Sequence, residues 1–194
     1  DLAGVVKYDH TDIRNVLERA SARETASRVA VGAVCRQFLD RLGIAIVSHV
    51  ASIGGASIGD PLSVTFEDVQ GIPADSSLHC VSTEVEQQMM KVIDAAKEAG
   101  DTVGGSFEVI VRGLPVGLGS HVQWDRKLDG RLAQAIMSIQ AIKGVGIGIG
   151  PRVADLPGSR IHDEILPLAG VTPHPEVPVQ RPTNNAGGLE AGIT

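Results

Sequence analysis

Apolar positions recur along this chain with two periods, and the switches between them mark its elements. From Ser21 to about Leu42 the pattern is one long helix, closed by Gly43, whose tolerance of left-handed backbone makes glycine the usual terminator. No charge interrupts Val29 to Cys35, which predicts burial on most sides. Gly32 inside that run costs about 1 kcal/mol relative to Ala in a helix, so it predicts close packing against another backbone. Ile44 to Ile53 is rich in β-branched residues and reads as a strand. A Gly-, Pro- and Ser-containing connector fills 54–80, with a helical patch near Thr65 to Gln70. A capping box of Thr83 and Glu86 then opens a helix whose stripe is Val85, Met89, Val92 and Ala96, ending at Gly100. Phe107, Val109 and Val111 alternate with Glu108, Ile110 and Arg112 as a strand does.

A third helix is expected over roughly Lys127 to Lys143, with Leu128, Leu132, Ala135, Ile136 and Ile139 on one face and Gly144 as its stop. Residues 1–9 read as irregular, followed by a short helical piece near Thr11 to Glu18. Beyond Gly150 the pattern dissolves, and Pro167 to Pro182 reads as a loop. The order helix, strand, helix, strand, helix predicts an α+β architecture. A length of 194 residues is ample for a core and is taken as a single domain over 1–194.

Composition narrows the function classes. Aromatic residues make up 3% of the chain, too few for a platform that stacks single-stranded nucleic acid. A net charge of −6 without a basic block argues against nucleic acid and membrane surfaces as partners. No run of about 18 apolar residues is present to span a bilayer, and no secretory pattern opens the chain. Cys35 and Cys80 are far apart and lack metal-ligand spacing. Cys35 is expected as a buried free thiol, and a reducing, cytoplasmic location fits both. The chain starts at Asp1 without an initiator methionine, which suggests an excerpt of a longer protein.

The densest chemistry lies in Arg19-Ala-Ser-Ala-Arg-Glu-Thr25. Ser21 followed by Glu24 is a capping box, and the first turn of a helix favours anions through its unpaired N–H groups. Arg19 and Arg23 flank that turn with donors suited to phosphate or carboxylate. An ordinary capped surface helix with solvated arginines would carry the same residues. Gly144-Val-Gly-Ile-Gly-Ile-Gly150 fails the dinucleotide spacing and follows a helix instead of preceding one, so a flexible strand start is favoured over a nucleotide-phosphate enzyme. His162-Asp163-Glu164 does not make a metal site and is read as structural or as an oligomer contact. His49 and His121 stand singly and read as core or surface histidines. Thr183-Asn-Asn-Ala-Gly-Gly188 offers carboxamides beside backbone that a ligand can approach, though a plain turn reads the same way.

Taken together these segments resemble the middle of chorismate synthase. The resemblance is carried by Val6-Lys-Tyr8, Leu17-Glu-Arg-Ala-Ser-Ala-Arg-Glu-Thr-Ala26, Arg28-Val-Ala-Val-Gly-Ala33, Gly100-Asp-Thr-Val-Gly-Gly105, Gly113-Leu-Pro-Val-Gly-Leu-Gly119, Met137-Ser-Ile-Gln-Ala-Ile-Lys-Gly-Val145, Asp163-Glu-Ile165 and Thr183-Asn-Asn-Ala-Gly-Gly188, in family order. It implies sheets sandwiching helices with a pseudo-twofold repeat, in a cytoplasmic homotetramer. The implied reaction is loss of the 3-phosphate and a C6 hydrogen from 5-enolpyruvylshikimate 3-phosphate, giving chorismate with the help of reduced FMN, with NADPH as the source of reduction in some relatives. By matched position, Arg19, Ala20, Ser21, Gln140, Ala141 and Ala191 would contact the flavin, and Arg23 a substrate phosphate or carboxylate. Gln140 stands where many relatives carry Asn, Ala191 where a glycine is common and Gly146 where an acidic residue is common. The family's two catalytic histidines, and its catalytic aspartate, align with no residue of this chain. No metal is implied. A noncatalytic assembly module of the same fold is the alternative implied by those gaps.

Overall fold

The computed structural model describes residues 1–21, 23–167 and 179–194. Most of the loop expected over Pro167 to Pro182 lies outside the described residues. The chain divides into two compact units, residues 39–114 and a unit formed by 1–38 with 115–194.

In the unit of residues 39–114, Gly43 takes the left-handed backbone (φ 76°) expected of a helix stop. Strand β1, Ala45–Ile53, follows. It pairs with the short β2, Ala56–Ser57, on one side and with β3, Gly105–Arg112, on the other, all antiparallel. Helix α4, Phe66–Gln70, is capped by Thr65 and Asp68 in a reciprocal box. Helix α5, Thr83–Glu98, starts one residue earlier than the proposed cap: the Ser82 hydroxyl accepts the Val85 amide at 3.3 Å. Glu86 is drawn away from any cap because its carboxylate accepts from Ser76 Oγ at 2.7 Å and Leu78 N at 2.6 Å. Its pKa is lowered, chiefly by the Leu78 amide and then by the Ser76 hydroxyl. Met89 is fully buried, and with Phe66, Val69, Ala51 and Ile44 it forms the core, as the α5 stripe predicts.

The parity of β3 is the reverse of what its alternation suggests. Phe107, Val109 and Val111 are exposed, while Glu108 and Ile110 are the less exposed positions. The register explains this, because Glu108 lies opposite His49 and Ile110 opposite Val47. His49 is 1% exposed, and its Nε2 lies 2.9 Å from Glu108 Oε2, so the glutamate serves a buried histidine. The His49 Nδ1 atom is buried without a partner.

The other unit begins with α1, Leu2–Tyr8, where the sequence pattern suggested irregular chain, and α2, Arg14–Ala20. The Lys7 ammonium lies 5.2 Å from the Tyr8 ring centroid. Asp12 accepts the Arg14 amide at 2.9 Å and lies against its guanidinium, fixing the start of α2. The long helix α3, Arg23–Arg41, carries the chain into residues 39–114. The burial expected for Val29 to Cys35 is not found: Val29, Val31, Val34 and Phe38 are each 63–68% exposed, and Cys35 is exposed. Nothing lies within 4 Å of a side chain added at Gly32, so the close backbone packing expected there is absent as well. The buried cysteine is Cys80. Helix α6, Leu128–Met137, ends six residues before the expected Lys143, and Ala141 beyond it is left-handed (φ 68°). Strands β4, Leu166–Pro167, and β5, Val179–Gln180, pair as a small ribbon.

Candidate functional site

Ser21 adopts extended backbone (φ −94°, ψ 175°), which breaks α2 from α3 and makes the turn on which the site is built. Arg19 therefore sits in the last turn of α2 and Arg23 opens α3. The expected capping box does not form. The Ser21 hydroxyl accepts the Arg23 amide at 3.3 Å, and the Glu24 amide donates to the Ser21 carbonyl at 3.1 Å. The Glu24 carboxylate is occupied by cations instead, Arg19 at 2.8 Å and Arg28 at 3.9 Å. Arg23 pairs with Glu18. The side chains of Arg19 and Arg23 remain 84% and 65% exposed, so these pairs are worth about 0–1 kcal/mol and exchange readily for a stronger anion.

The end of α6 is fastened to this turn. Gln140 Nε2 donates to the Arg19 carbonyl at 3.3 Å, and Thr25 Oγ1 donates to Gln140 Oε1 at 3.5 Å. Arg28 donates to the Ser138 hydroxyl at 3.0 Å and to its carbonyl at 3.2 Å. The structure thus brings Arg19, Ala20, Ser21, Arg23, Gln140 and Ala141 into one neighbourhood, although 115 residues separate Thr25 from Gln140.

Ala191 lies elsewhere in the same unit. It is left-handed (φ 51°) in a turn closed by reciprocal 2.9 Å bonds between Glu190 and Ile193. The Gly192 carbonyl accepts the Leu128 amide at 2.9 Å, which places this turn at the start of α6. Ten residues of helix, roughly 15 Å of rise, separate it from the Gln140 end. Among the described residues no hydrogen bond joins Ala191 to Arg19, Ser21 or Gln140.

Two features escaped the sequence reading. Gly148 (φ 58°) and Gly187 (φ 64°) pack backbone to backbone, so closely that a Cβ on Gly148 would collide with the Asn185 carbonyl. The Ile149 amide donates to that same carbonyl at 2.9 Å. Within 144–150, Gly148 therefore serves chain packing, and no strand starts there. The shared glycine richness of 144–150 and 183–188 was the available signal. Asp163 is the second feature. Its carboxylate accepts the Asn185 amide at 2.7 Å, the Ala186 amide at 2.9 Å and the Thr183 hydroxyl. Burial alone would raise the Asp163 pKa, but the bonds from Thr183, Ala186 and Asn185, with the charge of Arg181, outweigh it and hold the group below the usual aspartate value. The structural reading of His162-Asp163-Glu164 is met by this one member.

A cavity of about 650 Å³ opens within residues 39–114, lined by Val50, Ser52, Ile93, Lys97, Thr102 and Phe107 among others. Its walls are mainly apolar, and the Ser52 and Ser106 hydroxyls bond each other at 2.6 Å. Lys97, Asp101 and Thr102 add polar groups to its lining, and it contains none of the candidate cofactor or substrate residues nominated from the sequence. Among the described residues no helix is long and apolar enough to cross a membrane.

The family profile described as chorismate synthase matches residues 1–194. A chorismate synthase from Desulforamulus reducens is 55% identical over all of this chain and 49% of its own length. One from Geobacter sulfurreducens is 54% identical over all of this chain and 49% of its own length. A crystal structure of chorismate synthase superimposes with a TM-score of 0.89 at 48% identity, covering all of this chain and 59% of that one. The antiparallel sheets and helices described above thus have their counterpart in a solved member. Spanning about half the length of the curated relatives it matches, the chain belongs to the chorismate synthase family.

Proposed function

We propose that this chain is the central part of an enzyme that converts 5-enolpyruvylshikimate 3-phosphate to chorismate and phosphate with reduced FMN, a lyase step in aromatic amino acid biosynthesis. The observation that carries the cofactor half of this reading is a set of unpaired donors. Among the described residues, the backbone amides of Gln140, Ala141 and Ala191 donate to no group. The two alanines hold left-handed backbone that L-residues adopt at a cost of about 1–2 kcal/mol, with no large side chain to cover the amide. Free N–H groups on strained, thinly covered backbone suit a planar ligand edged with carbonyl and ring-nitrogen acceptors, and isoalloxazine is such a ligand.

Arg19, Ala20, Ser21, Gln140, Ala141 and Ala191 would hold the flavin, which when bound supplies an electron-rich ring beside the reacting substrate. The Gln140 side chain, tied to the Arg19 carbonyl and Thr25, fixes the edge on which Ala141 is presented. Arg23 would leave Glu18 for the substrate's phosphate or carboxylate, a stronger, charge-assisted partner. Arg19 is poised to exchange Glu24 in the same way. None of these side chains is a proton carrier for the C6 hydrogen, so that step falls to residues of the longer protein. A cytoplasmic homotetramer using NADPH to supply reduced flavin completes the reading.

The test is chorismate formation by the full-length protein with photoreduced FMN. Turnover with the unchanged protein is expected, with Arg23→Ala raising KM for the phosphorylated substrate by roughly tenfold or more. Absence of both FMN binding and turnover in a folded full-length sample would overturn the assignment in favour of an assembly module.

A further inference from the structure

We propose that Asp163 is a positioning residue that sets the spacing between the two flavin-facing segments, residues 140–141 and residue 191. The inference rests on the flavin reading above and adds to it a group that touches no cofactor itself. Three donors from one loop converge on its carboxylate: the Thr183 hydroxyl, the Asn185 amide at 2.7 Å and the Ala186 amide at 2.9 Å. This clasp holds the Asn185 carbonyl where it accepts the Ile149 amide at 2.9 Å, and it holds Gly187 against Gly148. Residue 148 lies seven positions after Ala141, and Gly187 four positions before Ala191. The contact therefore joins the chain leaving one cofactor segment to the chain approaching the other.

A second arm reinforces the first. Arg181 donates to the Asp163 carbonyl at 2.8 Å and pairs with the Glu190 carboxylate at 2.8 Å, beside the strained Ala191. The first arm ends seven residues from Ala141 and four from Ala191, and the second ends next to Ala191. The carboxylate arm ties the chain after Ala141 to the chain before Ala191, and the backbone-carbonyl arm steadies Glu190 beside it, whereas α6 alone would leave both ends free to shift on their loops. A carboxylate is required because a single atom, Oδ1, receives two donors while Oδ2 receives a third.

The deciding experiment measures FMN affinity and amide exchange in the full-length protein and in its Asp163→Asn and Thr183→Val variants, well below the unfolding midpoint. Asp163→Asn should weaken FMN binding roughly tenfold or more and speed exchange at the Asn185 and Ala186 amides. Thr183→Val, which removes one donor, should weaken it roughly threefold. A clasp with a merely structural role would lower Tm and leave FMN affinity unchanged. FMN affinity equal to that of the unchanged protein in both variants overturns the proposal, and if Asp163→Asn does not fold, Thr183→Val decides alone. Failure of the unchanged protein to bind FMN overturns the flavin reading itself, a result distinct from equal binding by all three.

Discussion

The two units of this chain are held together by different physics. Among the described residues, Ile44, Ala51, Phe66, Val69, Cys80 and Met89 are the buried apolar side chains of residues 39–114, while the unit carrying the candidate site buries Ile149. What the second unit lacks in apolar core it supplies with directed bonds: Asp163 on the 183–186 loop, Arg28 on Ser138, and Thr194 on residues 115–118. An apolar core tolerates small displacements, whereas a clasp of short hydrogen bonds specifies position. Positioning is what a ligand-facing surface requires, and the strained alanines at 141 and 191 lie in that unit.

The comparison can be broken from either side, and the largest effect is expected in the core. Met89→Ala should cost about 2–5 kcal/mol, because its fully buried side chain leaves a cavity that the sheet and α5 cannot close. Denaturant unfolding should show a lower midpoint, and an unchanged midpoint would mean that the core lies elsewhere. Gly148→Ala attacks the other unit, adding a Cβ against the Asn185 carbonyl at a positive φ. A loss of at least roughly 1–3 kcal/mol is expected from the backbone alone.

A third effect appears as pH falls. Asp163 has a folded pKa below the unfolded aspartate value of about 3.9. Its contribution is therefore fully present above that value and is lost as pH falls through the lower folded value. Asp163→Asn should be less stable than the unchanged protein at neutral pH, with the difference shrinking in strong acid; a pH-independent gap would remove the carboxylate from the account. The smallest effect is Ala191→Gly. Relief of left-handed strain, about 1–2 kcal/mol, is offset by about 0.4–1 kcal/mol of added freedom in the unfolded chain, so a slight rise in Tm is expected.

What the sequence revealed follows the same division. The α5 stripe and the β1 run were legible because apolar periodicity reports a core directly. The capping boxes were not legible. Ser21 with Glu24 and Thr83 with Glu86, the two boxes read from the sequence, do not form, since each glutamate has a better partner from outside its own turn, while the box that does form, Thr65 with Asp68, was read only as a helical patch. Which face of β3 is covered was not legible, because Glu108 pairs with a buried histidine, a contact that depends on register. The exposure of Val29 to Cys35 was misread because an uncharged run implies burial, while among the described residues no layer covers that face. The candidate turn was nominated by its arginines, and Gln140 through the resemblance. The Asp163 clasp was invisible because two of its three donors are backbone amides some twenty residues away, and a sequence records no backbone amides.

The central proposal is that the amides of Gln140 and Ala141 beside the α2–α3 turn, and that of Ala191 at the start of α6, face a flavin. Hydrogen exchange of the full-length protein with and without FMN tests it most directly. The account predicts slowed exchange at Gln140, Ala141 and Ala191, with little change at Val50, Thr102 and Phe107 around the apolar cavity. Protection confined to that cavity, with the three amides exchanging as fast as in the free protein, would contradict it.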